Sequence, residues 1–161
     1  MWQKLADALE EVAGCYGQLI KLEQKKRGVL VAIDMKGLEA VTQQEKSVLE
    51  QIRRAEEKRK QALLKLTMTD PKLRPDMRMV ETYLRCPSSK TRLLLQKLHT
   101  RLTRLTQEAQ EAQENNAILL HAALGAVNFH LNRIGGSEVS PAYGGHGQEH
   151  VTARKKFDFH A

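Results

Sequence analysis

Histidine and cysteine are the residues of this chain whose chemistry could support a metal site or a covalent reaction. His99, His121 and His130 fall on one predicted helix at spacings of 22 and 9, whereas two ligands on one helix face need a spacing of three or four. Cys15 and Cys86 are isolated and lack the C-x-x-C spacing of metal or redox sites. We therefore expect reduced, packed thiols, hydrogen-bonded or solvent-facing histidines, and no metal ion.

The glycine-rich segment 144–147 is the second feature that could do chemistry. Its sequence, Gly-Gly-His-Gly, shares its glycines with a phosphate-binding loop but lacks the Lys-Ser/Thr pair and the preceding strand. The scattered serines, histidines and aspartates define no catalytic triad. We therefore expect no cofactor and no enzymatic activity, and the sequence favours a binding protein.

Long helices are the elements that must carry these residues. Ala, Glu, Gln, Lys, Leu and Arg dominate the composition and only 4% of residues are aromatic, which is typical of long helices. Apolar residues spaced by three and four predict a first helix over residues 2–31 and a second over residues 34–66, capped by Asp34. Glu45 and Arg59 fall on the apolar line of the second helix, and we expect their charged groups to lie in water at its margin.

Two prolines, Pro71 and Pro75, interrupt the pattern because neither can sit inside a regular helix. Pro75 can occupy the first turn of a short helix that ends near Arg85. The segment 87–89, Pro-Ser-Ser, repeats the start signal, and the last helix then keeps its apolar positions as far as Ile134. At 1.5 Å per residue this helix is roughly 70 Å long.

The predicted fold is all-α: an elongated antiparallel helical hairpin or bundle of three long helices plus one short helix. Residues 1–134 form this bundle, and residues 135–161 form a Gly-containing C-terminal tail without apolar periodicity, which we expect to be disordered in isolation. No segment offers eighteen uninterrupted apolar residues, and acidic residues near the N-terminus argue against a signal peptide. We expect a cytoplasmic protein without membrane insertion.

The net charge of +7 is concentrated in residues 53–104, which carry 15 positive and 5 negative side chains. Two explanations remain open: complementarity to an acidic partner, or a basic end that is simply solvated. Nucleic acid binding is an alternative function for this stretch. Tyr83 is its sole aromatic residue and it holds no recognition motif, so we expect only weak, salt-sensitive attachment and no specific nucleic acid.

The last helix changes character near its end. Twelve of the eighteen residues in 117–134 are apolar, against four of eighteen in 99–116. A helix that is apolar on most of its circumference must be buried by a neighbour. Because few elements of this chain remain for that role, we expect a second polypeptide to cover it. The alternative is a self-associating coiled coil, in which a homodimer covers 117–134 by symmetry.

Three motifs in order along the chain are similar to those of one known family. Residues 34–49 match the opening of its second helix, and residues 113–120 match its Asn-rich turn followed by Leu-Leu. Residues 143–148 match its Tyr-Gly-x-x-Gly motif, which introduces a basic end at residues 154–156. The chain thereby resembles the FlgN family, the cytoplasmic flagellar export chaperones of the hook–filament junction proteins.

The resemblance implies a chaperone that binds the unfolded, amphipathic terminal segment of a junction protein. It prevents premature assembly and delivers this client to the export gate and its ATPase components. An amphipathic helix in an apolar groove is the expected mode of binding. The predicted client-binding residues are Asn116, Leu119, Leu120, Ala123, Leu124, Val127 and Leu131. For Leu119 and Ala123, packing against the first helix is an equally good interpretation.

The resemblance also implies a role for the tail. Tyr143, with Gly144 and Gly147, matches the family's tail motif, whose implied role is docking to the export gate. The alternative interpretation is an ordinary aromatic residue in a linker.

Overall fold

The computed structural model describes residues 1–74 and 76–135, and this part of the chain is helical, with no strand. The all-α prediction is confirmed. The four helices are α1 (Trp2–Val31), α2 (Met35–Thr69), α3 (Met79–Leu84) and α4 (Ser89–Gly135).

Helices α1 and α2 form an antiparallel hairpin. Two ion pairs show the direction: Lys26 near the end of α1 meets Glu45 of α2 at 2.7 Å, and Glu11 near its start meets Lys58 at 2.6 Å. The predicted antiparallel arrangement of consecutive long helices therefore holds for this pair.

Helix α4 packs on a second side of α1 and runs parallel to it. Leu5 and Leu98 share one apolar cluster near the two N-termini, and Asn116 hydrogen-bonds Glu23 further along. The bundle is therefore up, down and up: α2 returns the chain to the start of α1, and the segment around α3 joins the end of α2 to the start of α4 there. Among the described residues, Cα atoms of α2 and α4 do not approach within 8 Å, so α1 is the central helix.

The core is built from the apolar stripe of α1 and consists of two adjoining clusters. The cluster at the start of α1, here called the base, also takes in the end of α2, α3 and the start of α4. Its buried members are Leu5, Ala6, Leu9, Leu66, Leu73, Tyr83, Cys86, Leu95 and Leu98. The middle cluster joins the centres of all three long helices, with buried Val12, Ala13, Cys15, Leu19, Ile20, Leu22, Val48, Ile52, Ala55, Leu105 and Ala109. The two cysteines are free, buried thiols in different clusters.

A tight turn joins α1 to α2. Ile33 takes a positive φ of 54°, which an L-residue adopts at some cost. Asp34 caps α2 by accepting a hydrogen bond from the Gly37 backbone N–H at 3.0 Å, as the sequence predicts. Gly37 leaves room for this arrangement, since a Cβ there would lie 2.9 Å from Val29 Cγ1 and would also collide with the Asp34 carboxylate.

Two predicted boundaries need correction or fall outside the structure. The short helix begins at Met79 rather than near residue 75, because Arg78 is extended, with a φ of −60° and a ψ of 145°. Pro75 itself is outside the described residues. Helix α4 ends at Gly135, and residues 136–161, including Tyr143, Gly144 and Gly147, likewise lie outside the described part of the chain.

Candidate functional site

Helix α4 extends beyond the rest of the bundle. Asn116 of α4 lies beside Glu23 of α1, and their numbers differ by 93. Because the two helices run parallel, the same difference puts the end of α1 at Val31 level with about residue 124 of α4. The final turns of α4, up to Gly135, therefore continue about 16 Å beyond α1. We call residues 117–135 of α4 the free end.

An apolar cleft lies where the free end meets the turn between α1 and α2. Four of the seven predicted client-binding residues line one wall, and the end of α1 and start of α2 form the other. The lining residues are Leu120, Ala123, Leu124 and Val127, with Val29, Leu30, Ile33, Asp34, Met35 and Leu38 opposite them. The cleft is nearly closed, with a free volume of about 10 Å³, close to that of one water molecule. The two walls of the cleft are therefore nearly in contact, and only the side chains along its outer edge are open to solvent.

The predicted client-binding residues differ in how far they are exposed. Leu124 and Leu131 are 45% and 60% exposed, and Leu120 and Val127 are half-buried. Leu119 and Ala123 are also half-buried, which fits both interpretations that the sequence left open. The structure therefore places a graded apolar surface along α4, most exposed toward its end.

Asn116 lies inside the bundle rather than on this surface. Its Nδ2 donates to Glu23 Oε2 at 2.7 Å and to the Glu23 carbonyl oxygen at 2.8 Å. Both side chains are buried, and Glu23 is only 1% exposed. Asn116 thus joins α4 to α1 directly below the cleft, and it can contact a client only if this end of the bundle opens.

A buried carboxylate pair completes this polar cluster. The Glu45 side chain is 12% exposed and binds Lys26 Nζ at 2.7 Å. Burial, together with the neighbouring Glu45 carboxyl, raises the pKa of Glu23 above its usual range. In the described part of the chain Glu23 Oε1 has no hydrogen-bond donor, and a protonated Glu23 can instead donate to Glu45.

The expectation that the charged groups of Glu45 and Arg59 lie in water is therefore wrong for Glu45. Its carboxylate is covered by Lys26 reaching across from α1. Arg59 is closer to the expectation: its side chain is about a quarter exposed and pairs with Glu56 on the same helix at 2.8 Å.

The sequence reasoning also missed Glu23. Its signal was a position on the apolar stripe of α1, four residues after buried Leu19.

The sequence reasoning also missed exposed apolar residues on the opposite face of the free end. Ile118 is 68% exposed and Phe129 is 62% exposed. Ile118, Ala122, Gly125 and Phe129 follow one another at spacings of four, three and four, which was the available signal. The free end therefore presents apolar side chains on two faces of α4.

The described residues offer a surface for binding. Within residues 1–74 and 76–135, His, Cys, Asp and Glu side chains do not gather in groups of three that could hold a metal ion. Among the described helices, none combines the length and apolarity that a membrane-spanning segment needs. An extended apolar surface that the chain's own helices leave exposed is suited to take up another apolar chain segment.

Comparisons with known proteins agree with this picture at the level of family. Searches of curated proteins and of solved structures gave no match. A family model described as FlgN protein matches residues 1–150, which is most of the chain and includes all four helices. The three motifs that resemble this family fall within or overlap that match. The chain therefore belongs to the FlgN family, whose members are chaperones of type III protein export in flagellum biogenesis.

Proposed function

We propose that this protein is a cytoplasmic export chaperone for a hook–filament junction protein. It holds the amphipathic terminal segment of that client on the free end of α4, prevents premature assembly and delivers the client to the export gate. The role is one of binding rather than catalysis. The observation that carries the proposal is the free end itself, a stretch with twelve apolar residues in eighteen, none of them buried by the chain's own helices.

The free end is suited to helix-in-groove binding. Beyond the level of residue 124, α4 has no neighbour from α1, so a client helix can lie in the space that continues the line of α1. Its apolar side would cover Leu124, Val127 and Leu131 of α4, and its end would meet the turn between α1 and α2. Burying a large apolar side chain contributes about 1.5–3 kcal/mol, so a few such residues are enough to order a client segment.

The closed state of the cleft limits how the client binds. A free volume of about 10 Å³ cannot admit a leucine side chain. The client therefore binds along the exposed rim and the free end, unless the turn at Ile33 moves away from α4. We place the main contacts on the rim at Leu124 and, beyond the cleft, at Leu131, both of which are already exposed.

Delivery of the client is assigned to the tail on the basis of the family resemblance. Tyr143, Gly144 and Gly147 are the proposed contacts with the export gate or its ATPase components. This division of labour separates client capture by residues 1–135 from targeting by residues 136–161.

The test is a double substitution, Leu124→Asp with Leu131→Asp, and its readout is binding of a terminal peptide from a junction protein by calorimetry. We expect at least a hundredfold weaker binding, because two charged groups would face the apolar side of the client. Leu64→Asp on α2 is the matched control, since Leu64 is 46% exposed and far from the cleft. Far-UV circular dichroism should show unchanged helicity in both.

Unchanged peptide binding by the double variant, or equal loss in the Leu64 control, would contradict the proposed surface. In the same assay a chain ending at residue 135 should bind the peptide normally while failing to support export in cells. Loss of peptide binding on that truncation would refute the division of labour between bundle and tail.

A further inference from the structure

The first turns of α4 carry an exposed face that is both basic and apolar. Its side chains recur at spacings of three and four, so they fall within a sector of about 100° of the helix. This sector lies beside the stripe of buried Leu95, Leu98 and Leu105 that holds α4 in the core. We call the exposed set the basic face: Lys90, Leu93, Leu94, Lys97, Arg101 and Arg104.

The cations of the basic face have no role in holding the fold together. Residues 89–104 contain five Lys or Arg and no acidic residue. In the part of the chain that the structure describes, the ion pairs leave out all four cations of the basic face. The fifth cation, Arg92, is half-buried and donates to the Cys86 carbonyl oxygen at 2.7 Å. Since cations near a helix N-terminus oppose the macrodipole, helix stability does not explain them either.

Two large apolar side chains stand among these cations. Leu93 is 58% exposed and Leu94 is 37% exposed. As consecutive residues they point about 100° apart on the helix, one on each side of the line of cations. Exposed large apolar side chains combined with Lys and Arg are the features by which interfacial helices bind anionic lipid surfaces.

We propose that the basic face is a docking surface for a membrane that contains anionic phospholipids. Leu93, Lys97, Arg101 and Arg104 border a shallow, open groove with a free volume of about 620 Å³, which is wide enough for a phosphate head group. Lys and Arg donate charge-assisted hydrogen bonds to phosphate oxygens, and the leucines enter the boundary between head groups and acyl chains. The attachment is peripheral, because none of the described helices is long and apolar enough to cross a membrane.

A lipid surface is favoured over other anionic partners because it satisfies both kinds of side chain. A nucleic acid supplies phosphates but no apolar layer for Leu93 and Leu94, and the basic face has no aromatic side chain on which a base could stack. An acidic peptide helix is too narrow to cover two leucines that point about 100° apart. A deformable lipid interface takes up both leucines while its phosphates meet the cations between them.

The charge pattern of α4 also sets the orientation on the membrane. Residues 105–132 contain three Glu and no Lys or Arg, so an anionic surface attracts the start of α4 and repels the stretch that follows. The helix should therefore tilt, with the base toward the membrane and the free end in solution. Four exposed cations of the segment before α4 add to the charge of the base: Lys72, Arg74, Arg78 and Arg85.

Membrane docking and client binding use separate parts of the molecule. Leu124 lies 27 residues beyond Lys97, which is about 40 Å along the helix. The inference therefore does not depend on the proposed client, and either proposal can fail without the other.

The experiment is co-sedimentation of the full chain with lipid vesicles at low and at moderate salt. We expect binding to vesicles of phosphatidylcholine mixed with phosphatidylglycerol, weaker binding as salt rises, and no binding to phosphatidylcholine alone. Lys97→Gln with Arg101→Gln should weaken binding to the mixed vesicles at least tenfold, because each cation near an anionic surface contributes to the affinity. The matched control is Lys36→Gln with Lys46→Gln, two exposed cations in the first half of α2, which should bind as wild type does.

A leucine substitution separates a membrane from other polyanions. Leu93→Gln should weaken vesicle binding at least threefold, since it removes apolar area that the interface buries, and should leave attachment to double-stranded DNA unchanged. Leu49→Gln on α2, where the leucine is 44% exposed, is the control for vesicle binding. Far-UV circular dichroism should show equal helicity for every variant.

Three results would overturn the proposal. The first is a wild-type chain that stays in the supernatant with mixed vesicles at low salt. The second is vesicle binding by the Lys97 and Arg101 double variant, or by Leu93→Gln, that equals the binding of the wild-type chain. The third is tighter binding to double-stranded DNA than to mixed vesicles at the same salt, which would assign the basic face to a nucleic acid.

Discussion

The base of the bundle and the free end of α4 relate apolar content to burial in opposite ways. At the base, Leu5, Leu95 and Cys86 are fully buried by neighbours from α1, α2, α3 and α4. In residues 117–134 two thirds of the side chains are apolar, yet none is buried. Folding alone places apolar residues where burial is greatest, so the free end carries more apolar surface than folding requires. The base stabilises the protein, and the free end is available to a partner.

The strongest test of this contrast compares one leucine from each region. Leu95→Ala should lower the free energy of unfolding by about 3 kcal/mol, because it leaves a cavity in a packed core. Leu131→Ala should change it by less than about 0.5 kcal/mol, since the side chain is exposed. Chemical denaturation at constant pH measures both, and equal effects would show that the free end is core after all.

A smaller effect is expected at the polar cluster that separates the two regions. The raised pKa of Glu23 means that the folded state holds this proton more tightly than the unfolded state does. The stabilising contribution is complete below the unfolded value near 4.5 and is lost as pH rises through the raised folded value. Glu23→Gln keeps an acceptor for Asn116 and supplies a donor for Glu45 without a charge.

We therefore expect Glu23→Gln to raise the free energy of unfolding by about 1–2 kcal/mol near pH 8. The difference should shrink toward zero as pH falls to about 4.5. Thermal melts over that pH range make the comparison, with Glu39→Gln on the exposed side of α2 as the control. A pH profile shared by both variants would mean that Glu23 is not the titrating group.

The smallest predicted effect concerns the turn between α1 and α2. Gly37→Ala should destabilise the protein by about 1 kcal/mol, because the new methyl group meets Val29 and the capping Asp34. Gly28→Ala is the matched control on α1: nothing lies within 4 Å of its added carbon, so alanine should stabilise by up to about 1 kcal/mol. Melting temperatures that shift in the same direction would show that the turn does not need Gly37.

Much of the fold follows from local patterns in the sequence. The spacing of apolar residues predicted the bounds of α1 and most of α2. Asp34 could be predicted as the cap of α2 because its hydrogen bond goes to Gly37, only three residues further along the chain. The contrast between residues 99–116 and 117–134 likewise pointed to the free end. These features depend on periodicity and short-range hydrogen bonds, which a sequence displays directly.

Features that depend on contacts between distant residues could not be predicted in the same way. The burial of Glu23 and of Glu45 follows from Asn116 and Lys26 reaching them across helix interfaces. Periodicity places all four residues near the apolar seams, but it does not say which polar side chains meet. The start of α3 was also missed, since it depends on the extended backbone of Arg78.

The length by which α4 exceeds α1 has a consequence for backbone dynamics. Past the level of residue 124 the helix is held mainly by its own peptide hydrogen bonds, and isolated helical turns open readily in water. Amide protons there should exchange with deuterated solvent within seconds, while those around Leu105 persist far longer. If a client occupies the free end as proposed, it would slow exchange selectively in those last turns, and the overhang would then report cargo loading.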